Sequence, residues 1–216
     1  MERKIPTAIS PGLREERKQR TRQALLDAAL DLLQGEHSFA SLSLREVTRA
    51  AGIVPTAFYR HFDDMDELGL ALVEKSFRTL RQLMRAARSA PLPTQQLIRR
   101  SVETFVTHVR ANRRHFQFVA RERAGGRSAV RGAIHAEIRL FVSELATDLG
   151  RFPALGQWRT EDLQMMAGLL VAAMVNGMLD ILDLPASRPD DERELIHTLE
   201  KQLRLVVLGA SQWKSG

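Results

Sequence analysis

Residues Ser43 to Phe62 read SLREVTRAAGIVPTAFYRHF, and this pattern predicts two short helices joined by a glycine turn. Leu44, Val47 and Ala51 are three and four residues apart, which is the spacing of one helix face. Gly52 follows them directly, and glycine ends helices because it enters the left-handed backbone region at little cost. The stretch therefore predicts a helix, a tight turn and a second helix.

Two further signals fix the ends of these helices. Ser43 precedes the first helix and Glu46 stands three residues later, which is the arrangement of a capping box. Pro55 suits the first position of a second helix, because the N–H that proline lacks would have no partner there. That second helix is predicted from Pro55 to Phe62 and carries Thr56, Tyr59, Arg60 and His61. A short polar helix presented in this way is typical of a helix-turn-helix that enters the DNA major groove.

Composition is consistent with a nucleic-acid partner. The formal net charge is +6 and the isoelectric point is near 10.4, which favours a polyanion, although a basic protein without such a partner would show the same values. The sequence contains no cysteine, so disulfides, thiolate metal sites and thiol catalysis are excluded. This composition fits a reducing compartment, and no secretory signal pattern is visible at the N-terminus, so we expect a cytoplasmic protein.

The remaining sequence predicts an all-α protein with two domains. We expect a flexible arm over residues 1–13, a DNA-binding domain over 14–64 and a ligand-binding and dimerisation domain over 65–216. Arg14 to Arg22 holds five basic residues and two acidic ones, which suits either a solvated helix start or a phosphate-facing segment. Further helices are predicted at about 65–88, 94–110, 113–123, 127–149, 161–184 and 190–212.

The last two predicted helices bear on assembly. Residues 163–182 are apolar nearly all round, and Leu195, Leu199 and Leu203 form a stripe on the final helix. Asn176, Asp180 and the absence of an aromatic belt favour a buried helix over a membrane span. The two helices either complete the monomer core or pack against their copies as a four-helix bundle. Because an operator needs two half-sites, we expect a homodimer on a palindromic operator.

The sequence AFYRHF, after an AAGI turn and an SLREV helix, resembles the N-terminal domain of the TetR family of transcriptional repressors. Within that family, SFASLSLREVTRAAGIVPTAFYRHF, DELGLALV and RERAGGRSAVR are similar to sequences of the FabR and DesT regulators of unsaturated fatty-acid synthesis. The resemblance implies a repressor of fatty-acid synthesis or desaturation genes whose operator affinity is modulated by long-chain acyl-CoA or acyl-ACP, in which the acyl chain is carried by acyl carrier protein. The alternative is a TetR-type repressor of a transporter gene that responds to another hydrophobic molecule.

The resemblance also implies roles in DNA binding. Thr56, Ala57 and Arg45 correspond to base-reading positions, whereas Tyr59 and His61 correspond to phosphate contacts. The full set of predicted DNA-binding residues is Thr21, Arg22, Ser43, Arg45, Thr56, Ala57, Tyr59, Arg60 and His61. Two positions depart from the common family pattern: Val54 replaces a capping serine and Met65 replaces a lysine that contacts phosphate.

For the ligand, the resemblance implies an apolar cavity that holds an acyl chain. Its predicted lining is Phe105, Val109, Phe116, Phe118, Val119, Met165, Met166, Leu169, Leu170 and Met174, although each of these residues taken alone fits a place in the core better. Arg121, Arg123, Arg127 and Arg131 surround a glycine turn and could meet a phosphate-bearing head group, or could be a solvated helix end paired with Glu122.

No pattern indicates catalysis, a cofactor or a bound metal. The six histidines are scattered, and only His108 and His115 share a helix-like spacing, which falls short of a metal-ligand set. The glycine pair at 125–126 lacks the lysine and second glycine of a phosphate-binding loop. A third hypothesis, a basic protein that binds nucleic acid or acidic membranes without sequence preference, is disfavoured by the capped helix pair, which such a protein would not need.

Overall fold

The structure is a computed structural model that describes residues 11–34, 37–89, 92–185 and 187–215. Over these residues the chain is helical and contains no strand, which confirms the predicted all-α class. The nine α-helices are α1 (Pro11–Leu32), α2 (Leu44–Ala50), α3 (Pro55–Phe58), α4 (Met65–Arg88), α5 (Thr94–Ala111), α6 (Arg113–Gly125), α7 (Ser128–Leu149), α8 (Thr160–Asp183) and α9 (Pro189–Gly209) within the described ranges. Two compact units, Met1–Leu72 and Val73–Gly216, divide inside α4.

The signals around α2 and α3 act as the sequence predicts. The Glu46 N–H donates to Ser43 Oγ at 3.3 Å, and the Ser43 N–H donates to Glu46 Oε2 at 2.9 Å, which completes the capping box. Gly52 has a φ of 67°, which is the left-handed backbone conformation that residues with a Cβ rarely adopt. Pro55 occupies the first turn of α3. Ser43, Gly52 and Pro55 therefore set the ends of the two helices and the turn between them.

Two predicted helix ends in this unit are wrong. The α-helical part of α3 stops at Phe58, because the N–H groups of Arg60 and His61 bond three residues back and tighten residues 59–61 into a turn. At the other end of the unit, α1 already begins at Pro11, since proline is compatible with a first helical turn. Only residues 1–10 of the predicted arm remain, and they lie outside the described residues.

The core of the first unit is closed by aromatic side chains. Phe39, Phe58 and Phe62 are fully buried together with Leu25 and Val47. The rings of Phe58 and Phe62 lie 5.6 Å apart in a tilted arrangement, so the aromatic residues on either side of Tyr59 and His61 are anchored inside. This packing turns the intervening polar side chains away from the core.

The second unit is a helical bundle in which α7 packs on α8, α8 on α9 and α5 on both α8 and α9. Three ion pairs join α4 to α7: Arg81 with Glu137 at 2.5 Å, Arg85 with Glu144, and Arg88 with Asp148 at 2.8 Å. We call these pairs the α4–α7 ladder. They connect α4 to α7 within the second unit.

The apolar helix α8 is less buried than its composition predicts. Met165, Leu169 and Leu179 are exposed, whereas Met166, Leu170 and Ile181 are buried. Among the described residues, α8 is long and apolar enough to cross a membrane, but a single such helix is weak evidence because core helices of soluble proteins pass the same test.

Candidate nucleic-acid interface and apolar cavity

The helix-turn-helix exposes a set of polar side chains. Tyr59 is 61% exposed, and Arg45, Thr56 and Arg60 are exposed as well. Each belongs to α2, α3 or the turn after α3, so one short segment presents a phenol, a hydroxyl and two guanidinium groups. These groups can donate hydrogen bonds to phosphate oxygens and base edges. The assignment of individual roles stays a prediction.

Four other predicted DNA contacts are half-buried: Thr21, Arg22, Ala57 and His61. The Thr21 hydroxyl donates to the Arg17 carbonyl at 2.9 Å, which occupies its hydrogen within α1. The Arg22 guanidinium carbon lies 4.8 Å from the centre of the Phe62 ring, a cation–π arrangement that holds its stem against the core.

His61 stands in a strongly basic environment. Burial, followed by the positive charges of Lys18, Arg22 and Arg60, lowers the pKa of its imidazole. Its Nδ1 is buried and has no hydrogen-bond partner. In the absence of an anion the ring is therefore neutral near pH 7, and a phosphate oxygen would reverse that preference.

Ser43 and Asp64 serve as helix caps. The Ser43 hydroxyl donates to Glu46 Oε2 at 2.7 Å, and hydrogen bonds from Ser43 lower the pKa of the Glu46 carboxyl. The Glu67 N–H donates to Asp64 Oδ1 at 2.9 Å, so Asp64 caps α4. Met65 is buried, which agrees with the absence of a phosphate contact at that position.

The second unit contains an apolar cavity of about 530 Å³ between its helices. Helices α4 to α9 all contribute side chains to it. The bulky apolar residues that line it are Phe77, Leu80, Met84, Phe105, Phe116, Phe141, Met174, Met178 and Leu203. A cavity of this size and character is typical of sites for small molecules.

The cavity includes some of the predicted ligand-binding residues. Phe105, Phe116, Val119 and Met174 line it, as do Leu170 and Arg123. Eight predicted residues are not part of its lining: Val109, Phe118, Arg121, Arg127, Arg131, Met165, Met166 and Leu169. Val109 and Met166 are buried elsewhere in the core, whereas Arg121, Met165 and Leu169 are exposed, since helical periodicity alone does not tell which side of a helix faces a cavity.

The glycine turn after α6 uses one of its arginines internally. Arg131 Nη1 donates to the Gly126 carbonyl at 2.7 Å, so it stabilises the connection between α6 and α7. A Cβ at Gly126 would lie 2.7 Å from the Glu122 carbonyl oxygen, and the turn therefore requires glycine. Of the four arginines predicted to meet a head group, Arg123 is the one that lines the cavity.

Two protein-family models match this chain, one in each of its two parts. Residues 25–72 match the model described as bacterial regulatory proteins of the tetR family, and residues 93–207 match the model described as the tetracyclin repressor-like C-terminal domain. The chain belongs to the TetR family. It is therefore a DNA-binding transcriptional regulator and not an enzyme, and it carries both the helix-turn-helix and the C-terminal domain of that family.

Several solved structures share the fold of this chain. A TetR-family transcriptional regulator from Streptomyces coelicolor is 22% identical, with a TM-score of 0.65 over 89% of this chain and 97% of that one. The fatty acid degradation regulator FadR from Bacillus halodurans is 15% identical, with a TM-score of 0.63 over 95% and 96%. SmeT in its complex with triclosan is 21% identical, with a TM-score of 0.67 over 88% and 90%.

Several lining residues of this TetR-family cavity were not predicted. Phe77 and Phe141 face each other at 6.2 Å between α4 and α7, and the charged residues Arg88, Asp148 and Arg151 also line the cavity. Both phenylalanines are apolar residues of predicted helices, so the sequence could have suggested them as lining residues. Nothing in a single sequence shows that α4 and α7 run side by side, so the charged residues could not be assigned.

Among the described residues, no group of three or more histidine, aspartate or glutamate side chains could hold a metal ion. The histidines lie apart, and His108 and His115 make separate contacts. His108 packs edge-on against Phe116 at 5.7 Å, and burial lowers the pKa of its imidazole. His115 Nδ1 lies 3.0 Å from the Ser76 hydroxyl. These contacts are those of packed side chains.

Proposed function

We propose that this TetR-family chain is a dimeric, cytoplasmic repressor of fatty-acid synthesis or desaturation genes, and that a long-chain acyl thioester modulates its affinity for a palindromic operator. The observation that carries the proposal is the apolar cavity of about 530 Å³ within the second unit. A hydrocarbon chain gains free energy when it leaves water for such a site. The methionines Met84, Met174 and Met178 in its wall are unbranched and adapt to chains of different shape.

The DNA-binding half of the proposal rests on the exposed groups of the helix-turn-helix. Arg45 can form a bidentate pair with guanine. Thr56 can contact a base edge, for example when its methyl group packs against the methyl group of a thymine. Tyr59 and Arg60 flank them and can bind phosphate. Because one module reads only a few base pairs, specific binding requires two copies of it.

Exposed apolar side chains on the last two helices support the dimer. Leu169 on α8 is 54% exposed and Leu205 on α9 is 73% exposed, and Met165 and Leu208 are exposed on the same two helices. Exposed leucines and methionines concentrated on adjacent helices suit an isologous contact with a second copy of the chain. The two helices of each protomer would then form a four-helix bundle.

A second candidate is a repressor of a transporter gene that responds to another hydrophobic molecule. The similarity of fold to SmeT, solved with triclosan, favours keeping this candidate. An apolar cavity accepts either an acyl chain or a compact aromatic compound, so the lining does not separate the two functions. The choice depends on the ligand and on the target promoter.

A gel-shift experiment with the upstream DNA of a desaturase gene separates these candidates. Palmitoyl-CoA should change the midpoint of DNA binding by tenfold or more, whereas coenzyme A alone and triclosan should leave it unchanged. Mass spectrometry of ligand extracted from the purified protein provides an independent measurement. A response to triclosan and none to palmitoyl-CoA would favour the transporter repressor, and specific binding to no promoter fragment would count against both.

A further inference from the structure

Apart from Arg123 on α6, the charged residues of the cavity wall lie at the ends of α4 and α7. Arg88 is the last residue of α4 and Ser89 follows it, while Asp148 and Arg151 lie at the end of α7, and all four line the cavity. We call these four residues the polar pole. An apolar ligand gains nothing from charged groups in its site, so the polar pole needs a separate explanation.

The hydrogen bonds of the polar pole leave one donor of Arg88 unused. Arg88 Nε donates to Asp148 Oδ2 at 2.8 Å, and Arg151 Nη1 donates to Asp148 Oδ1 at 3.2 Å. Each oxygen of this carboxylate thus serves a different arginine. Arg88 Nη2 is buried and has no hydrogen-bond acceptor. A buried charged donor without an acceptor is unfavourable, and an acceptor brought by a ligand would satisfy it.

The α4–α7 ladder shows that Arg88 differs from its neighbours. Arg81 and Arg85 make ion pairs with α7 in the same way, but neither lines the cavity. The side chain of Arg85 is 59% exposed, so water can complete its hydrogen bonds, whereas that of Arg88 is only 14% exposed. The unused donor is therefore found on the one rung of the ladder that faces the cavity.

Charge at the polar pole indicates what the acceptor should be. Arg88 and Arg151 carry two positive charges and Asp148 carries one negative charge, which leaves the pole with a single excess positive charge at neutral pH. The Ser89 hydroxyl already donates to the Arg85 carbonyl at 2.8 Å, so it has no hydrogen to spare for a ligand oxygen. The pole is therefore matched to one anionic oxygen group.

We infer that Arg88 binds the anionic head group of an amphiphilic ligand whose hydrocarbon chain fills the apolar part of the cavity. This inference rests on the proposed function in one respect, namely that the cavity holds such a chain. The head group is a carboxylate or a phosphate, supplied either by a free fatty acid or by the coenzyme of an acyl thioester. In both cases the Nη2 edge of Arg88 donates to an anionic oxygen of the ligand.

Displacement of the neutral dye N-phenyl-1-naphthylamine from the purified protein tests the inference. The probes are hexadecanoate, hexadecan-1-ol and palmitoyl-CoA, the alcohol below its solubility limit and the two anionic probes below their critical micelle concentrations. The wild type should bind at least one anionic probe about tenfold or more tightly than the alcohol, because a hydrogen bond to a charged group is worth that much. Arg88→Gln should remove the difference while the affinity for the alcohol stays the same.

Arg85→Gln is the matched control, since it removes the neighbouring ladder arginine, which does not line the cavity. It should keep the preference for the anionic probe. Arg88→Lys keeps the charge and provides a second variant if Arg88→Gln fails to fold, as judged by thermal melting. A partial preference in Arg88→Lys, intermediate between wild type and Arg88→Gln, supports the inference.

The outcomes distinguish the source of the anion and the two levels of the proposal. A preference for hexadecanoate indicates a fatty-acid carboxylate, and a preference for palmitoyl-CoA alone indicates a phosphate. Equal affinity of the wild type for all three probes overturns the head-group site and leaves the apolar cavity standing. Failure of every probe to displace the dye rejects the proposed acyl ligand together with the head-group site.

Discussion

Arg45 and Tyr59 are both exposed on the helix-turn-helix, but their chemistry predicts different effects on DNA binding. Arg45→Ala should relax preference at one base pair, at a cost of about 1–3 kcal/mol on the preferred operator, because a bidentate contact to guanine reads sequence. Tyr59→Phe should weaken binding to all sequences, since a phosphate contact carries no sequence information. Titrations of operator and random duplexes at fixed salt measure both effects, and equal losses on both duplexes for Arg45→Ala would refute its role.

His61 predicts a pH dependence of DNA binding. Burial and the charges of Lys18, Arg22 and Arg60 lower its pKa in the free protein, so it binds DNA as a neutral ring unless a phosphate supplies negative charge. If a phosphate raises that pKa, binding takes up a proton and affinity increases as the pH falls from 8 to 6. His61→Gln should show a shallower slope than the wild type, and equal slopes would exclude a phosphate next to the ring.

The same lowered pKa has the opposite sign for folding. In the unfolded chain the pKa of His61 is near the ordinary value of 6.5, whereas in the DNA-free folded chain it is lowered. The unfolded chain therefore binds a proton at His61 more readily than the folded chain does. The contribution of His61 to stability is therefore complete above that value and is lost as the pH falls below it. Acid should thus weaken the free protein while it tightens the complex.

At this scale the sequence predicts residues whose role is local. Ser43, Gly52 and Pro55 act within a few residues of their own position, and each was identified from its neighbours alone. The role of Arg88 depends on Asp148, sixty positions away in the chain, and on the cavity that both residues line. Such a role follows only from the packing of α4 against α7, which no local pattern encodes.

Among the elements, α8 and α9 are held together by a close approach at Gly177. A Cβ at this residue would lie 2.6 Å from a methyl group of Leu199, which is itself buried. Gly177→Leu should therefore lower the free energy of unfolding by about 1–3 kcal/mol, because overpacking forces the two helices apart. Urea unfolding followed by circular dichroism measures the change.

Gly132→Ala on α7 provides the control for this prediction. Nothing lies within 4 Å of a Cβ at that residue, so the substitution should stabilise the protein by up to about 1 kcal/mol through helix propensity alone. The two substitutions replace glycine in a helix with opposite expected signs. A stabilising effect of Gly177→Leu would show that α8 and α9 do not depend on this approach.

Helix positions were predictable to within a few residues. A capped N-terminal end was predicted more accurately than an uncapped C-terminal end. The predicted range 65–88 agrees with α4, which is bounded by an aspartate cap. The final helix ends at Gly209 and not at 212, because residues 210–212 form turns with three-residue hydrogen bonds. Caps carry a side-chain signal in the sequence, whereas a fraying C-terminal end carries little.

At the scale of the whole molecule, exposed apolar residues on α8 and α9 are difficult to explain in an isolated chain. Leu205 and Leu208 are three residues apart on α9 and both are exposed, so they lie on one face of that helix. Burial of each leucine in a dimer would contribute about 1.5–3 kcal/mol. An isologous contact counts every residue twice, so the loss of two leucines per chain removes four side chains from the interface.

The double substitution Leu205→Glu and Leu208→Glu should therefore convert the protein to a monomer at micromolar concentration, as measured by light scattering after size exclusion. Because both side chains are exposed in a single chain, the helical content and the thermal melting of the monomer should be retained. Operator affinity should fall at least a hundredfold, since one module reads a single half-site, while the weaker binding to random DNA changes much less.

Leu140→Glu on α7 is the control, because Leu140 is exposed but lies on neither of the last two helices. A double variant that stays dimeric would place the two-fold contact elsewhere. A monomeric variant with undiminished operator affinity would show that pairing is not required to read the operator.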